Sequence, residues 1–263
     1  MKKIYSLLFL TVCFFTFVLP VSAEEHPLQK EYDDAVKLIS TIDFEYYTNS
    51  STLGDDVKND LERIQEYVST HEQYTIEDLN AIIEPADTNQ KSKSLSDYDY
   101  TKFLPTSKDV LNAEEKEIFN SNPAYGLSVL LQASYANDQE ASRFGSNTWA
   151  TNGDAFRHAL WNALGTHYTS EAYMESFATA HETGSLNYNA DSIDTKMDLQ
   201  NNAAGRTLVQ DMKLPVNPPN AMVIPYLISN NIAAATENGE LVRFFANGVQ
   251  YDVLISTDSA TKN

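Results

Sequence analysis

Cysteine is almost absent from this 263-residue chain, since Cys13 is its only example. Cys13 lies within residues 1–23, where a basic start, an apolar run and the closing Val21-Ser22-Ala23 predict a cleaved secretory leader. We therefore expect a secreted, extracellular protein whose mature part has no cysteine. That absence excludes disulfides, a thiol nucleophile and thiolate metal ligands from the mature protein.

Basic side chains are also scarce. Loss of the leader removes Lys2 and Lys3 and leaves 16 basic side chains against 37 acidic ones, a net charge of −21. A field of that sign repels nucleic acid and anionic membrane surfaces, so we expect no nucleic-acid partner. We expect no transmembrane segment in the mature protein and an extracellular substrate or a cell-envelope component as its partner.

Two familiar catalytic signatures are missing. The sequence has no serine nucleophile elbow and no H-E-x-x-H zinc motif. A covalent route through serine or cysteine is therefore disfavoured, and any metal ligands must come from dispersed positions.

Helical periodicity dominates what is present. Apolar residues recur at helical spacing over most of the chain, and only residues 241–255, with Asn247-Gly248 as a type I′ turn, indicate a β-hairpin. The predicted fold is mainly α, a multi-helix domain with a small C-terminal β-hairpin and an N-terminal helical module. The predicted divisions are a leader at 1–23, an acidic helical module at 24–90, a linker at 91–100, a helical domain with the site at 101–255 and a flexible tail at 256–263.

Within the second part, the sequence predicts a helix from Pro123 and then a polar loop over residues 137–152. Three helices follow, over 153–168, 170–182 and 191–212, and they contain the chemically interesting residues.

The first of these helices has apolar residues on opposite faces, which is typical of a helix buried in the middle of a domain. His158 is therefore predicted to point inward, with Asp154 one turn earlier to orient its ring. On the second helix His181 continues the apolar stripe of Tyr173 and Phe177, so it too is predicted to be buried.

The third helix places Asp194, Asp198, Asn201, Asn202 and Gly205 on one broad face. A mid-helix asparagine pair and a glycine both lower helix propensity. Such a sequence indicates close packing or a polar site.

Each feature also has a simpler interpretation. A single buried histidine is most often a hydrogen-bonded core residue, Trp161 is most simply part of the core, and the Asn201-Asn202 pair could join two helices. The argument for a site rests on the concurrence of these residues within about 50 positions.

Three segments together resemble an uncharacterised bacterial domain family. They are Arg157-His-Ala-Leu-Trp161, Ala180-His-Glu182 and Met197-Asp-Leu-Gln-Asn-Asn-Ala-Ala-Gly-Arg206. That family occurs in secreted proteins and at the C-termini of large toxin-like proteins, and the resemblance covers about residues 150–210. It implies a shared site rather than a known reaction.

The first hypothesis is a metal-dependent hydrolase. His158, His181 and Asp198 would hold one divalent ion, most suitably zinc, and Glu182 would be the general base or a further ligand. The substrate would be bound by Arg157, Trp161, Asn201, Asn202 and Arg206.

Two alternatives stay open. In one, His158 and His181 form a metal-free proton-transfer pair, oriented by Asp154 or Asp198. In the other, the protein is not an enzyme: the cluster is a buried hydrogen-bond network in a secreted binding or structural protein.

Overall fold

A computed structural model describes residues 27–40, 42–88, 103–184, 188–215 and 220–259. The predicted leader and the 91–100 linker lie outside these residues. The described residues are mainly helical and end in a small antiparallel hairpin, as predicted. The helices are α1 Pro27–Ser40, α2 Phe44–Asn49, α3 Asp55–Thr70, α4 Ile76–Ile82, α5 Ala113–Ser121, α6 Pro123–Phe144, α7 Asn152–Tyr168, α8 Glu171–Thr183, α9 Ile193–Gln210 and α10 Val223–Glu237, and the strands are β1 Val242–Ala246 and β2 Val249–Ser256, with a 3₁₀ turn at Lys108–Val110.

Polar caps fix where several helices begin. Thr75 and Asp78 form a reciprocal capping box at α4, and Asn122 accepts a hydrogen bond from the Tyr125 amide ahead of α6. Pro123 stands at the first position of α6, where its missing N–H has no partner to lose. These local signals mark the starts of the helices, and at α6 a tertiary contact adds to them, since the Ala124 amide donates to Asn80 Oδ1 of α4.

The hairpin follows its turn residues. Asn247 and Gly248 have φ angles of 53° and 78°, which a type I′ turn requires at both central positions. The turn joins β1 to β2, which pair in antiparallel fashion.

The predicted loop over 137–152 is wrong in its first half, because α6 continues to Phe144. The polar residues of this segment have partners on neighbouring elements. Asn137 bonds the backbone of Leu104, and Asp138 accepts a 2.8 Å hydrogen bond from the Tyr46 hydroxyl. Polarity along this stretch therefore marks contacts between elements rather than a loop.

Helix α7 is the centre of the domain. Fifteen of its residues are buried, and it packs against α6, α8, α9 and α10, which confirms the expectation of a helix buried on both faces. Gly205 of α9 lies directly on α7. A Cβ at that position would lie 2.7 Å from the Ala159 carbonyl carbon, so only glycine allows the two backbones this approach.

The N-terminal helices contribute to the same apolar cluster as the later ones. A buried ion pair also joins the two parts, since Lys108 Nζ lies 2.6 Å from Asp60 Oδ2 and donates to the Glu84 carbonyl oxygen. The domain boundary stays a prediction. Among the described residues, no helix has both the length and the apolar character needed to cross a bilayer.

His167, near the end of α7, makes stability depend on pH. Burial, with help from the Lys37 charge, lowers its pKa from 6.5 to about 4. A folded pKa below the unfolded value means that stability is full above pH 6.5 and falls as the pH drops toward 4. Between pH 7 and pH 5 we expect the wild type to lose about 2 kcal/mol more of its unfolding free energy than His167→Gln does.

Urea unfolding at both pH values measures that difference. The control is His71→Gln, which changes an exposed histidine and should lose as much as the wild type. An equal loss in His167→Gln and the wild type would contradict the assignment.

Candidate functional site

Three side chains from two helices meet in the interior. Asp154 and His158 lie one turn apart on α7, and Asp198 faces them from α9. His158 Nε2 lies 3.5 Å from Asp154 Oδ1 and 3.4 Å from Asp198 Oδ1. One ligand atom from each residue lies within 4.8 Å of the other two, which makes this group a candidate metal site within the described ranges.

The spacing suits a small divalent ion. Two ligand atoms, each about 2.1 Å from a zinc ion, are about 3.4 Å apart at the tetrahedral angle. The two His158 distances therefore match ligand separations around one ion. The Asp198 side chain is 10% exposed, against 1% for His158 and 2% for Asp154, so Asp198 is the least covered member of the group, although its Oδ1 atom is itself buried.

The other ring nitrogen of His158 faces Glu182. Nδ1 lies 3.5 Å from Glu182 Oε1, on the opposite side of the imidazole from the two aspartates. Asn202 donates a 3.1 Å hydrogen bond to the same Glu182 oxygen. A carboxylate that accepts from the second ring nitrogen is the usual arrangement behind a metal-binding imidazole, and Glu182 lies on that side of the ring, although the 3.5 Å separation is not a hydrogen bond.

A polar chain continues behind Asn202. Asn162 donates to Asn202 Oδ1 at 2.7 Å, and Arg206 Nη1 donates to Asn162 Oδ1 at 2.9 Å. Sequence reasoning missed Asn162. Its position one turn after His158 on α7 was an available signal, because residues four apart share a helix face.

Arg157 is turned inward, away from solvent. Its guanidinium pairs with Asp154 and lies 3.1 Å from Glu140 Oε2 of α6, and its side chain is almost fully buried. Thr148 donates to the other oxygen of Glu140. The structure thus places this predicted substrate-binding residue in a buried ion-pair cluster.

The titration behaviour of the group follows from burial. Burial and the Arg157 charge lower the pKa of His158 well below its ordinary value, so its imidazole is neutral, the form that binds metals. Burial raises the pKa of Asp154 and of Glu182. Burial together with the charges of Glu182 and Asp154 raises the pKa of Asp198 well above its ordinary value.

The acidic charge of this group is only partly balanced. Arg157 forms ion pairs with Glu140 and Asp154. In the described part of the chain, no lysine or arginine nitrogen lies within 4.0 Å of Asp198 or Glu182. Buried carboxylates without a countercharge are costly. A bound cation would remove that cost.

His181 lies outside the three-residue candidate group, whereas the sequence predicted it as a metal ligand. Its Nδ1 is 2.8 Å from Glu115 Oε1 of α5, and both side chains are fully buried. Burial lowers the pKa of His181, but the hydrogen bond and charge of Glu115 outweigh it and the net shift is upward. The third member of the candidate group is Asp154, which the sequence predicted only as a residue that orients His158.

The remaining predicted substrate-binding residues make contacts within the protein. Trp161 is fully buried and donates from Nε1 to the Val129 carbonyl oxygen, as a core residue does. Arg206 bonds Asn162 and lies 3.4 Å from Glu175. Asn202 and Arg206 therefore form the polar chain behind His158.

Asn201 fastens the hairpin to α9. Its amide donates to the Val242 carbonyl oxygen at 2.8 Å and accepts from the Val242 N–H at 3.0 Å. Asn201→Ala would leave both half-buried backbone groups of Val242 without this partner, so we expect a loss of about 1–2 kcal/mol in unfolding free energy and faster amide exchange in β1. Denaturant titration and hydrogen exchange measure these effects.

The matched control for that variant is Asn231→Ala, at an exposed position of α10, which should change stability by less than about 0.5 kcal/mol. Unchanged exchange in β1 of the Asn201→Ala protein would show that the hairpin is held by other contacts.

Comparison with known proteins gives one result at the level of family. No curated protein and no solved structure matches the chain. Residues 116–236, which include α6 to α9 and every member of the candidate site, match the family model described as a domain of unknown function, DUF6973.

Proposed function

We propose that this protein is a secreted hydrolase that uses one divalent metal ion held by Asp154, His158 and Asp198. The observation that carries the proposal is the convergence of His158 Nε2 with two aspartate oxygens at 3.5 and 3.4 Å, in a site with surplus buried acid. Three protein ligands, which leave the fourth tetrahedral position to water, are the arrangement of catalytic rather than structural metal sites.

The donor atoms favour zinc. One imidazole nitrogen and two carboxylate oxygens suit it, and no cysteine is involved. When bound, the ion would supply Lewis acidity and lower the pKa of water at its open position. Glu182 would hold the His158 ring in place, and Arg157 would set the position of Asp154.

The place of action is part of the proposal. The predicted leader supports export, and the strongly acidic mature chain disfavours polyanionic substrates. Envelope polymers, lipids or a competitor's molecules are then the substrate classes to be tested. The resemblance to toxin-associated domains supports the same set.

A metal titration of the purified mature chain tests the proposal. We expect the chelator-treated protein to take up one zinc ion per chain. We also expect metal-dependent hydrolysis of one of three chromogenic substrates: a p-nitrophenyl ester, a p-nitrophenyl phosphodiester or a p-nitroanilide peptide. A protein that binds no zinc, manganese or magnesium, or a rate that is equal with and without metal, would overturn the proposal.

A second candidate is a structural polar network. The unbroken chain from Arg206 through Asn162 and Asn202 to Glu182 favours it, since such networks fix how helices pack. The two candidates differ in what they expect of Asp198. A network residue should stabilise the metal-free fold, whereas a metal ligand without its ion should lower the stability of that fold.

A further inference from the structure

A cleft of about 650 Å³ lies beside the candidate centre. Its walls come from the last turns of α6, the loop after it and β1. Three aromatic side chains give it an apolar lining: Phe103, Trp149 and Phe245. Ala141 of α6 also lines the cleft. The volume and the aromatic lining are typical of a small-molecule site.

The polar groups deeper in the cleft already have partners. Asn137 exchanges hydrogen bonds with the Leu104 backbone. Glu140 lies 3.1 Å from Arg157 and accepts from Thr148. These groups need no hydrogen bonds from a ligand, so the lining best complements an apolar one.

Charge narrows the ligand class further. Glu140 is the charged residue of the lining, and no lysine or arginine is found among the residues described there. An anionic group would therefore meet a carboxylate and a strongly acidic protein, with no basic side chain to bind it. Phe103 is 56% exposed and Trp149 38%, which is apolar surface that an uncharged chain would cover.

The cleft is joined to the candidate centre from two sides. Trp149 Nε1 donates to Asp194 Oδ1 at 2.9 Å, and Asp194 is one helical turn before Asp198 on α9. On the other side, the Glu140–Arg157 pair leads to Asp154. Glu140 in the lining of the cleft is therefore two contacts away from Asp154, one of the proposed metal ligands.

The loop between the cleft and the centre is held in an unusual conformation. Ala150 is buried with a φ angle of 61°, which costs an alanine about 1–2 kcal/mol. The Ala150 N–H donates to Asp154 Oδ2 at 2.7 Å. The Ala150 carbonyl oxygen accepts from the Phe244 and Phe245 amides. Strain that surrounding contacts maintain in this way is typical of functional loops.

We propose that this cleft binds an uncharged acyl or aryl chain, the apolar part of the substrate on which the neighbouring centre acts. The assignment of that chain to a substrate rests on the proposed hydrolase function. Binding in the cleft itself needs no metal.

A pair of fluorescent probes with the same aryl frame and different charge tests the proposal. N-phenyl-1-naphthylamine is neutral, and 8-anilinonaphthalene-1-sulfonate carries a sulfonate on the same aryl frame. We expect the mature, chelator-treated chain to bind the neutral probe at least tenfold more tightly than the anionic one. Equal affinity for the two probes would contradict the charge argument.

A cleft-filling variant locates the binding. Ala141→Phe adds a ring to an exposed position on the wall, so it should fold normally and weaken neutral-probe binding at least tenfold. Ala172→Phe, at an exposed alanine of α8 outside the cleft lining, is the matched control and should keep wild-type affinity. Wild-type affinity in Ala141→Phe, with circular dichroism confirming its fold, would overturn the proposal.

Two outcomes of the probe and metal titrations separate this proposal from the hydrolase proposal. Probe binding that survives chelation supports the cleft whatever the metal titration gives. Metal binding by the wild type together with failure of both probes would remove the cleft proposal and leave the metal centre in place.

Discussion

Asp198→Asn is expected to abolish metal binding while making the metal-free protein more stable. Asparagine keeps the shape of the side chain but cannot ionise, whereas burial and the neighbouring carboxylates raise the pKa of Asp198, and no basic partner lies within 4.0 Å of it among the described residues. Loss of an outer-shell partner costs about 10–100-fold in metal affinity, so loss of this ligand should cost more than about 100-fold. Removal of the unbalanced charge should raise the Tm of the metal-free protein by about 3 °C.

Isothermal titration with zinc and differential scanning calorimetry with excess chelator measure the two effects. Asp252→Asn, at an exposed position of β2, is the matched control and should leave both unchanged. A lower Tm in metal-free Asp198→Asn, with no metal bound by the wild type, would instead favour the structural network. His158→Ala alone would not separate the candidates, because both predict that it is harmful.

Gly205→Ala is expected to cost about 3 kcal/mol of unfolding free energy, although alanine is the better helix former by about 1 kcal/mol. The added methyl would overlap the Ala159 carbonyl group, and a backbone cannot rotate away as a side chain can. Helix α9 would have to move off α7. Because Ala159 follows His158 directly, the same shift would separate Asp198 from the histidine and weaken zinc binding.

Gly165→Ala is the matched control for this prediction. It makes the same substitution inside α7, but the new methyl would meet the Met174 side chain, with Cγ at 2.9 Å. A flexible thioether chain can change rotamer, so we expect a stability within about 1 kcal/mol of the wild type. Urea unfolding measures both losses. A loss in Gly205→Ala that is as small as the one expected for Gly165→Ala would show that α9 adjusts its position without large cost.

Part of the site follows from helix periodicity alone. Residues four apart on a helix are neighbours, which is why the sequence suffices to place Asp154 beside His158. The same rule makes His181 an inward residue, and it is buried. Periodicity gives the direction in which a side chain points, but not which other helix it meets there.

That missing information explains how the predicted ligand set differs from the observed group. His181 faces Glu115 of α5, which precedes it by 66 positions in the chain. Only the packing of α8 against α5 creates that pair, and the capping role of Glu115 offers no local reason to connect the two residues. The partner of Asn201 was likewise beyond the reach of periodicity, since it is a strand backbone distant in sequence rather than a side chain.

The hydrolase assignment and the secreted location both remain predictions. The scarcity of cysteine bears on the first because it excludes a thiol nucleophile, and on the second because the one cysteine lies in the predicted leader. Local sequence determined the helical class, the capped helix starts, the Asn-Gly hairpin and the inward faces of α7, α8 and α9, because each depends on contacts within a few residues. Tertiary structure alone decided which inward side chains share a site. The approach of α9 to α7 at Gly205 brings Asp198 close to His158. The packing of α8 against α5 pairs His181 with Glu115 instead. Both outcomes depend on distances between helices, which long-range contacts rather than local periodicity fix.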